Sequence, residues 1–210
     1  MWLVALAGFA FLACAGCQSA NSGEPLGGFI FAGADYYHED LEETGDLDGG
    51  VLGRVGGGVV LKEGKEATSS IEGWVAIGEL DDTIDLVQVA LGGRWNMGER
   101  RQHFFRTGIA YHDLDFNNGI TADGIGVYVG YGYEIFLNKE ETWSIAPEVI
   151  LHLYNLEVPV GGGFTVISDD LLAGSIGLTL TYHFGRKKKA QDEYGRPQSD
   201  RDIERRWRNR

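Results

Sequence analysis

The segment that most constrains the fold of this chain is residues 175–184, SIGLTLTYHF. Its large apolar residues fall at every second position, with small or polar residues between them. Side chains of a strand point alternately to its two faces, so the two sets lie on opposite faces of one strand. A chain with this strand needs a sheet that has one apolar and one polar face.

Seven segments upstream show similar alternation over a similar length. With the last segment they predict eight strands, at residues 28–37, 51–61, 69–77, 84–95, 102–111, 124–136, 142–154 and 171–184. Tilted strands of about nine to eleven residues are what a β-barrel needs to cross a bilayer. The sequence therefore predicts an all-β fold, an eight-stranded antiparallel transmembrane β-barrel with an up-and-down meander.

The connections between these segments are expected to alternate in length. The short polar turns are residues 62–68, 96–101 and 137–141. The long connections are residues 38–50, 112–123 and 155–170, whereas the remaining one, 78–83, is short. Short periplasmic turns and longer external loops are typical of outer-membrane barrels, so both chain ends are expected in the periplasm.

The composition of the two faces indicates which one meets lipid. One face is mainly aliphatic, whereas the other carries charges among many Gly and Ala residues. A soluble ligand-binding barrel would need the apolar set inside, but here the polar set suits a narrow lumen. Because an unpaired buried charge is costly, we expect the lumen charges to pair. The predicted ion-pair network consists of Arg54, Glu72, Arg94, Arg106, Glu134 and Glu148.

Aromatic residues stand at the ends of the apolar face, as in the interfacial girdles of membrane barrels. Beside the short turns they are Trp95, Phe105, Tyr133, Trp143, Tyr182 and Phe184. Tyr37 and Tyr111 are expected in the girdle at the opposite end. Pro147 lacks a backbone donor and is expected to mark a bulge. The register of the first strand stays open.

The last strand also carries a pattern of a polar residue, a glycine and spaced hydrophobic residues. It is formed by Ser175, Gly177, Leu180, Tyr182 and Phe184, and it resembles the C-terminal β-signal of bacterial outer-membrane barrels. Residues 28–184 resemble the small eight-stranded outer-membrane proteins, such as the transmembrane domain of outer-membrane protein A and its relatives. That resemblance implies location in the outer membrane of the Gram-negative cell envelope, insertion by the barrel-assembly machinery, and structural, adhesive or host-contact roles.

The two ends of the chain differ from the barrel. Residues 1–20 predict a signal peptide, since their apolar run is too short for a spanning helix. Cys14 to Cys17 resembles a lipobox with Cys17 as the lipidated residue and cleavage before it; ordinary cleavage near Ala20 is the open alternative. Residues 21–27 are interpreted as a linker. Residues 185–210 are interpreted as a basic periplasmic tail, expected to be disordered.

Charge is distributed unevenly along the chain. The formal net charge is −13, and residues 186–210 contain ten Lys or Arg against five Asp or Glu. The tail thus carries +5 and the remainder −18. An acidic body argues against nucleic acid as a partner. The proposed external segments are rich in carboxylates, for which divalent cations are expected partners, alongside outer-membrane lipid and lipopolysaccharide.

Three functions remain open from the sequence. The favoured one is a structural or surface-interaction barrel with a narrow, non-conducting lumen, and the alternative is a narrow channel for small or hydrophobic solutes. A lipid-modifying enzyme is the third. Lipid A deacylases resembling such barrels use a Ser two residues after a His, but Leu114 stands at that position after His112. We therefore expect no enzyme, and the sequence predicts no catalytic, cofactor or metal site.

Overall fold

A computed structural model describes residues 27–40, 47–63, 67–80, 84–98, 100–116, 120–160 and 164–185. The signal peptide, the lipobox with Cys17, the linker up to residue 26 and the tail after residue 185 lie outside the described residues. The strands are β1 (Gly28–Asp40), β2 (Leu47–Glu63), β3 (Ala67–Leu80), β4 (Ile84–Met97), β5 (His103–Phe116), β6 (Ile120–Tyr133), β7 (Ile135–Phe136), β8 (Trp143–Val160) and β9 (Phe164–Phe184). No helix in these ranges is long and apolar enough to cross a membrane.

The strands form one closed antiparallel sheet. Apart from β6 and β7, each strand pairs with the next in sequence, and β1 pairs with β9 from Gly28 opposite Phe184 to Asp40 opposite Leu172. The short β7 continues β6, and both pair with β8 in the same register, so together they form one barrel strand. The predicted eight-stranded up-and-down barrel is confirmed.

Glu134 separates β6 from β7, and pairing with β8 is interrupted at Tyr133 and Glu134, opposite Pro147 and Ala146, without a bulge. Gly132 pairs with Glu148 and Ile135 pairs with Ile145, so the ladder keeps one register across the gap. Pro147 has no N–H to donate, which accounts for the missing rung. The register shift of β8 against β9 lies instead between Tyr154 and Leu156.

The expectation of long external loops is wrong, because the strands continue into those segments. β1 extends to Asp40, β5 to Phe116 and β8 to Val160, while β2, β6 and β9 begin correspondingly early. The end of the barrel where β1 begins and β9 ends is called the terminal end here, and the opposite end is called the far end. The barrel wall therefore extends further at the far end than the sequence predicted.

The exterior of the barrel is an apolar band. Its exposed residues include Val55, Ile77, Leu91, Ile109, Ile125, Val129, Leu151, Ile176 and Leu178. From Ile125 to Ile135 the chain rises about 34 Å, which is about 26 Å along the axis at a tilt of about 40°, close to the ~25 Å band of a membrane barrel.

Aromatic residues flank the apolar band, with one correction to the predicted girdle. Trp95, Phe105 and Trp143 are exposed towards the terminal end, and Tyr111 is exposed towards the far end. Tyr37 is fully buried inside the barrel, and its neighbour Tyr36 is 56 % exposed on the exterior. β1 therefore turns the opposite face outward from the one that the girdle prediction required.

The polarity of the wall inverts near the far end. Along β5, Ile109 and Tyr111 face outward and His112 faces inward, but beyond them Asp113 and Asp115 are exposed and Leu114 is buried. Strands β3, β4, β6 and β8 show the same inversion, with buried Leu80, Ile84, Leu86, Ala122 and Leu156 beside exposed acids. On the terminal side of this level the exterior is apolar and suits contact with lipid. On the far side the exterior is acidic and suits contact with water.

Candidate functional site in the polar interior

Arg54 is the centre of a buried ion network in the middle of the barrel. Its Nε lies 3.1 Å from Asp35 Oδ2, and its Nη2 lies 3.2 Å from Asp35 Oδ1. The same Nη2 donates to Glu148 and to Thr179 Oγ1, and the Thr179 hydroxyl also donates to Glu148. These four side chains come from β2, β1, β8 and β9, so the network spans the seam where the first and last strands meet.

Arg106 extends this network towards β3. Its Nη2 lies 3.3 Å from Glu148 Oε2, and its Nε lies 3.3 Å from Glu72 Oε1. Arg106 and Glu72 are each 1 % exposed. Glu148 is therefore shared between two arginines, whereas Glu72 depends on Arg106.

A second network lies nearer the terminal end, around Glu134. Arg94 Nη2 donates to Glu134 Oε1 at 2.7 Å, and Arg94 Nε donates to Asn96 Oδ1 at 3.1 Å. The Asn96 amide in turn donates to Glu134 Oε2 at 3.2 Å. Glu134 continues the inward positions of β6, such as Gly130 and Gly132, so its carboxylate lies where Arg94 and Asn96 donate to it.

Aromatic rings separate the guanidinium groups of Arg54, Arg94 and Arg106. The Arg94 guanidinium lies 3.9 Å from the centroid of Phe104, and that of Arg106 lies 5.2 Å from the same ring and 5.4 Å from Phe31. The alternating order through the interior is Phe29, Arg94, Phe104, Arg106, Phe31, Arg54 and Trp74. Ring faces attract cations and shield them from one another, so the stack lets three arginines share a narrow lumen.

Beyond Trp74 the interior contains a histidine and aromatic cluster. The His112 and His152 rings lie 5.3 Å apart at right angles, and His112 stacks on Tyr154 at 4.0 Å. Gln88 Nε2 lies 3.2 Å from His112 Nδ1. Trp74 packs edge-on against His152 at 6.2 Å. This contact accounts for the inward position of Trp74.

Ser144, His183 and Glu134 contact one another, but their geometry does not form a nucleophile relay. His183 Nε2 lies 3.1 Å from Ser144 Oγ and 3.1 Å from Glu134 Oε1, and the Ser144 hydroxyl donates to that same oxygen at 3.3 Å. A catalytic histidine uses one ring nitrogen for the nucleophile and the other for the carboxylate. Here one nitrogen meets both groups, so the arrangement is a hydrogen-bond cluster.

The turn between β4 and β5 contacts the interior at the terminal end. Arg101 has a positive φ of 56° and pairs with Glu63 on β2, while its carbonyl accepts from Asn96 Nδ2 at 3.2 Å. Beneath it lies a cavity of about 30 Å³ that Thr68 and Ser70 help to line. This volume suits about one or two water molecules rather than a solute.

The exterior of the far end carries an acidic belt, defined as Glu79, Asp85, Asp113, Asp115, Asp123 and Glu157, all exposed. Glu79 pairs with Asp85, which pairs on its other side with Asp115. Asp123 pairs with Asp113 and with Glu157. Like charges directly opposite each other on neighbouring strands are destabilising. Within the described part of the chain, no group of three or more His, Cys, Asp or Glu side chains is arranged to hold a metal ion.

All six residues named for the lumen network lie in the interior, where each contacts a residue of opposite charge. Sequence reasoning missed Asp35, Asn96 and His183 as members of these networks. Asp35 was missed because the register of β1 was open. Its alternation with Gly33 and Tyr37 is the signal that could have placed it.

The β-signal residues divide between the two faces of β9. Ser175 is buried on the lumen face of the strand, as are Thr179 and Thr181, and the exposed Leu180 shares the exterior face with Tyr182 and Phe184. Tyr182 packs against Trp143 of β8, with ring centroids 4.9 Å apart. Gly177 lies on the lumen side, opposite Asp35 and Glu148 on the two neighbouring strands.

No protein-family model matches the sequence, and no curated protein matches it. The fold is similar to Neisserial surface protein A, at 11 % identity over 74 % of this chain and 96 % of that chain, with a TM-score of 0.47. It is similar to Ail, the attachment invasion locus protein of Yersinia pestis, at 13 % identity over 76 % and 99 %, with a TM-score of 0.49. The outer-membrane protein AlkL has 12 % identity over 83 % and 97 %, with a TM-score of 0.48.

The fold and its two surfaces define the class of this protein. A closed eight-stranded barrel with an apolar exterior and an ion-paired interior is a transmembrane β-barrel of the outer-membrane type. The predicted resemblance to small outer-membrane barrels therefore holds at the level of the fold. The apolar band and its aromatic borders support the predicted location in the bacterial outer membrane.

Proposed function

We propose that this protein is a closed outer-membrane barrel that acts through its surface, in a structural or surface-interaction role, and does not conduct solutes. The observation that carries this proposal is the filled interior. The arginine and aromatic stack occupies the middle of the lumen, and the histidine cluster follows it. The buried Leu52, Leu80, Leu86 and Leu114 pack together at the far end.

We infer the orientation of the barrel from the position of its chain ends, together with the polarity of its wall. We place the terminal end in the periplasm, because outer-membrane barrels keep their chain ends there. The far end then projects from the membrane, with its acidic belt at or above the level of the lipopolysaccharide headgroups. In that orientation the apolar band contacts outer-membrane lipid, and the wall of the far end serves as a rigid base for contacts with other molecules.

The proposed partners follow from the same surfaces. Lipid and lipopolysaccharide contact the exterior, and the barrel-assembly machinery recognises the β-signal of β9. Divalent cations are proposed to relieve the repulsion within the acidic belt, because carboxylate oxygens are their preferred ligands. Nucleic acid is not proposed, since the exposed surface of the far end is acidic.

Planar-bilayer recording of the purified full-length protein tests the proposal. We expect no discrete conductance steps in molar KCl, while a wide-pore porin recorded in the same bilayers shows the sensitivity of the assay. The matched variant Phe104→Ala/Arg106→Ala removes two neighbouring side chains from the middle of the stack. Steps from the parent protein would favour the channel alternative, and deacylated or otherwise altered lipid A from cells making the protein would favour an enzyme.

A further inference from the structure

Gly177 lies where the interior of the barrel has no room for a side chain. It pairs with Asp35 of β1 on one side and with Glu148 of β8 on the other. A Cβ atom at Gly177 would lie 1.6 Å from Asp35 Oδ1 and 2.7 Å from Asp35 Cγ. The Asp35 carboxylate therefore occupies the space that a side chain at residue 177 would fill.

Asp35 is held in this place by the central ion network. Its two oxygens lie 3.1 and 3.2 Å from Arg54, and its side chain is 4 % exposed. Arg54 is fixed in turn by Glu148 and Thr179. The carboxylate could leave the space above Gly177 only by losing its contacts with Arg54 inside a lumen that offers it little water.

The side chains in this arrangement come from the first two and the last two strands of the barrel. Asp35 and Arg54 lie on β1 and β2, whereas Glu148, Gly177 and Thr179 lie on β8 and β9. The two groups meet only when β1 pairs with β9, which is the pairing that closes the barrel.

We propose that Gly177 is a socket for the Asp35 carboxylate, so that closure of the β1–β9 seam and assembly of the central ion network are a single event. The socket requires a residue without a side chain at position 177. The glycine of the β-signal pattern then has a packing role inside the finished barrel, separate from any recognition by the assembly machinery. Through Asp35, Gly177 holds the last strand against the first.

Four variants of the full-length protein test the proposed socket at Gly177. Each is refolded from urea into detergent micelles, where no assembly machinery is present. They are Gly177→Ala, Asp35→Ala, the double variant Asp35→Ala/Gly177→Ala, and the control Gly174→Ala. Gly174 lies on the same strand, and a Cβ there meets one atom within 4 Å, Leu151 Cδ2 at 3.5 Å. The folded fraction is measured by the heat-dependent shift in gel mobility and by the midpoint of urea unfolding.

We expect Gly177→Ala to lower the folded-to-unfolded ratio about tenfold or more, as overpacking of a filled interior does. Gly174→Ala should behave like the parent protein. The double variant should be more stable than Gly177→Ala, although it lacks the Asp35 contact with Arg54, because truncation at residue 35 empties the socket. This rescue is the result that a merely local backbone effect at residue 177 would not give.

Two results would overturn the proposal. The first is a Gly177→Ala protein as stable as Gly174→Ala, because the socket would then not need to be empty. The second is a double variant no more stable than Gly177→Ala, because the cost would then arise from the backbone, where Ala34 O lies 2.9 Å from the added Cβ.

Discussion

Replacing Arg106 by Ala is the most severe test of the buried network. Arg106 is in contact with both Glu72 and Glu148, at 3.3 Å each. Glu148 keeps Arg54 and Thr179 after the substitution, but Glu72 is left without a cation in contact among the described residues. Glu72 is 1 % exposed, so water cannot readily replace the lost partner.

The expected loss follows from that stranded carboxylate. Breaking a buried ion pair by removing one partner costs about 3–5 kcal/mol, because the remaining charge is neither paired nor hydrated. Since about 1.4 kcal/mol corresponds to a factor of ten, a cost of about 4 kcal/mol lowers the folded-to-unfolded ratio by nearly a thousandfold. The substitution also removes the contacts of the guanidinium with the Phe31 and Phe104 rings, which further lowers the stability.

Urea unfolding in lipid vesicles, followed by tryptophan fluorescence and gel mobility, measures this loss. The double variant Glu72→Gln/Arg106→Ala should recover part of the stability, because it removes the stranded charge. Lys62→Ala, at an exposed position near the terminal end, serves as the control. An Arg106→Ala protein that unfolds at the same urea concentration as Lys62→Ala would refute the argument that the interior charges are dry and mutually dependent.

Two further predictions concern the far end and the N-terminus. At 10 mM Ca²⁺, and for a dissociation constant of about 1 mM, we expect binding at the acidic belt to add about 1.4 kcal/mol to the free energy of unfolding and to raise the melting temperature by about 4 °C. The variant Asp113→Asn/Asp123→Asn should lose this shift. A parent protein whose melting temperature does not respond to Ca²⁺ would show that the belt is only a solvated acidic surface. If Cys17 is the lipidated residue, Cys17→Ser abolishes incorporation of labelled palmitate in cells, whereas an unlabelled parent protein contradicts lipidation.

The barrel could be predicted from the sequence because, in most of its membrane strands, the apolar residues and the small or charged residues occupy opposite faces. On β4 to β6, aliphatic residues alternate with Gly, Ala and charged residues, so period and face are fixed together. On β1 the two faces cannot be told apart in this way, because apolar residues lie on both: Phe29 and Phe31 face inward, while Ile30 and Tyr36 face outward. Its face is decided by pairing with β2 and β9, which a single strand's sequence does not contain. Asp35 was missed for that reason.

The error about the long loops has a related cause. Residues 113–115, Asp-Leu-Asp, keep the period of two, but the acids are outside and the leucine is inside. A search for strands with an apolar lipid face stops where that polarity reverses. The strand itself does not stop, because its hydrogen-bonded ladder needs a partner backbone and an apolar interior rather than a membrane. The ends of the predicted segments therefore mark the edge of the apolar band better than the ends of the strands.

The interior charges are divided between the two halves of the chain in a way that favours one closed register. The first five strands supply Arg54, Arg94 and Arg106 together with Asp35 and Glu72. The network residues of this half therefore have a net charge of +1. The later strands supply Glu134 and Glu148, and each arginine contacts one of these two glutamates. An open sheet would leave the halves apart. A slip of one residue in register would turn a strand's arginine towards lipid, at a cost of about 2–4 kcal/mol near the bilayer midplane. The buried network thus acts against misregistered and unclosed forms, in addition to any net stability that its ion pairs contribute.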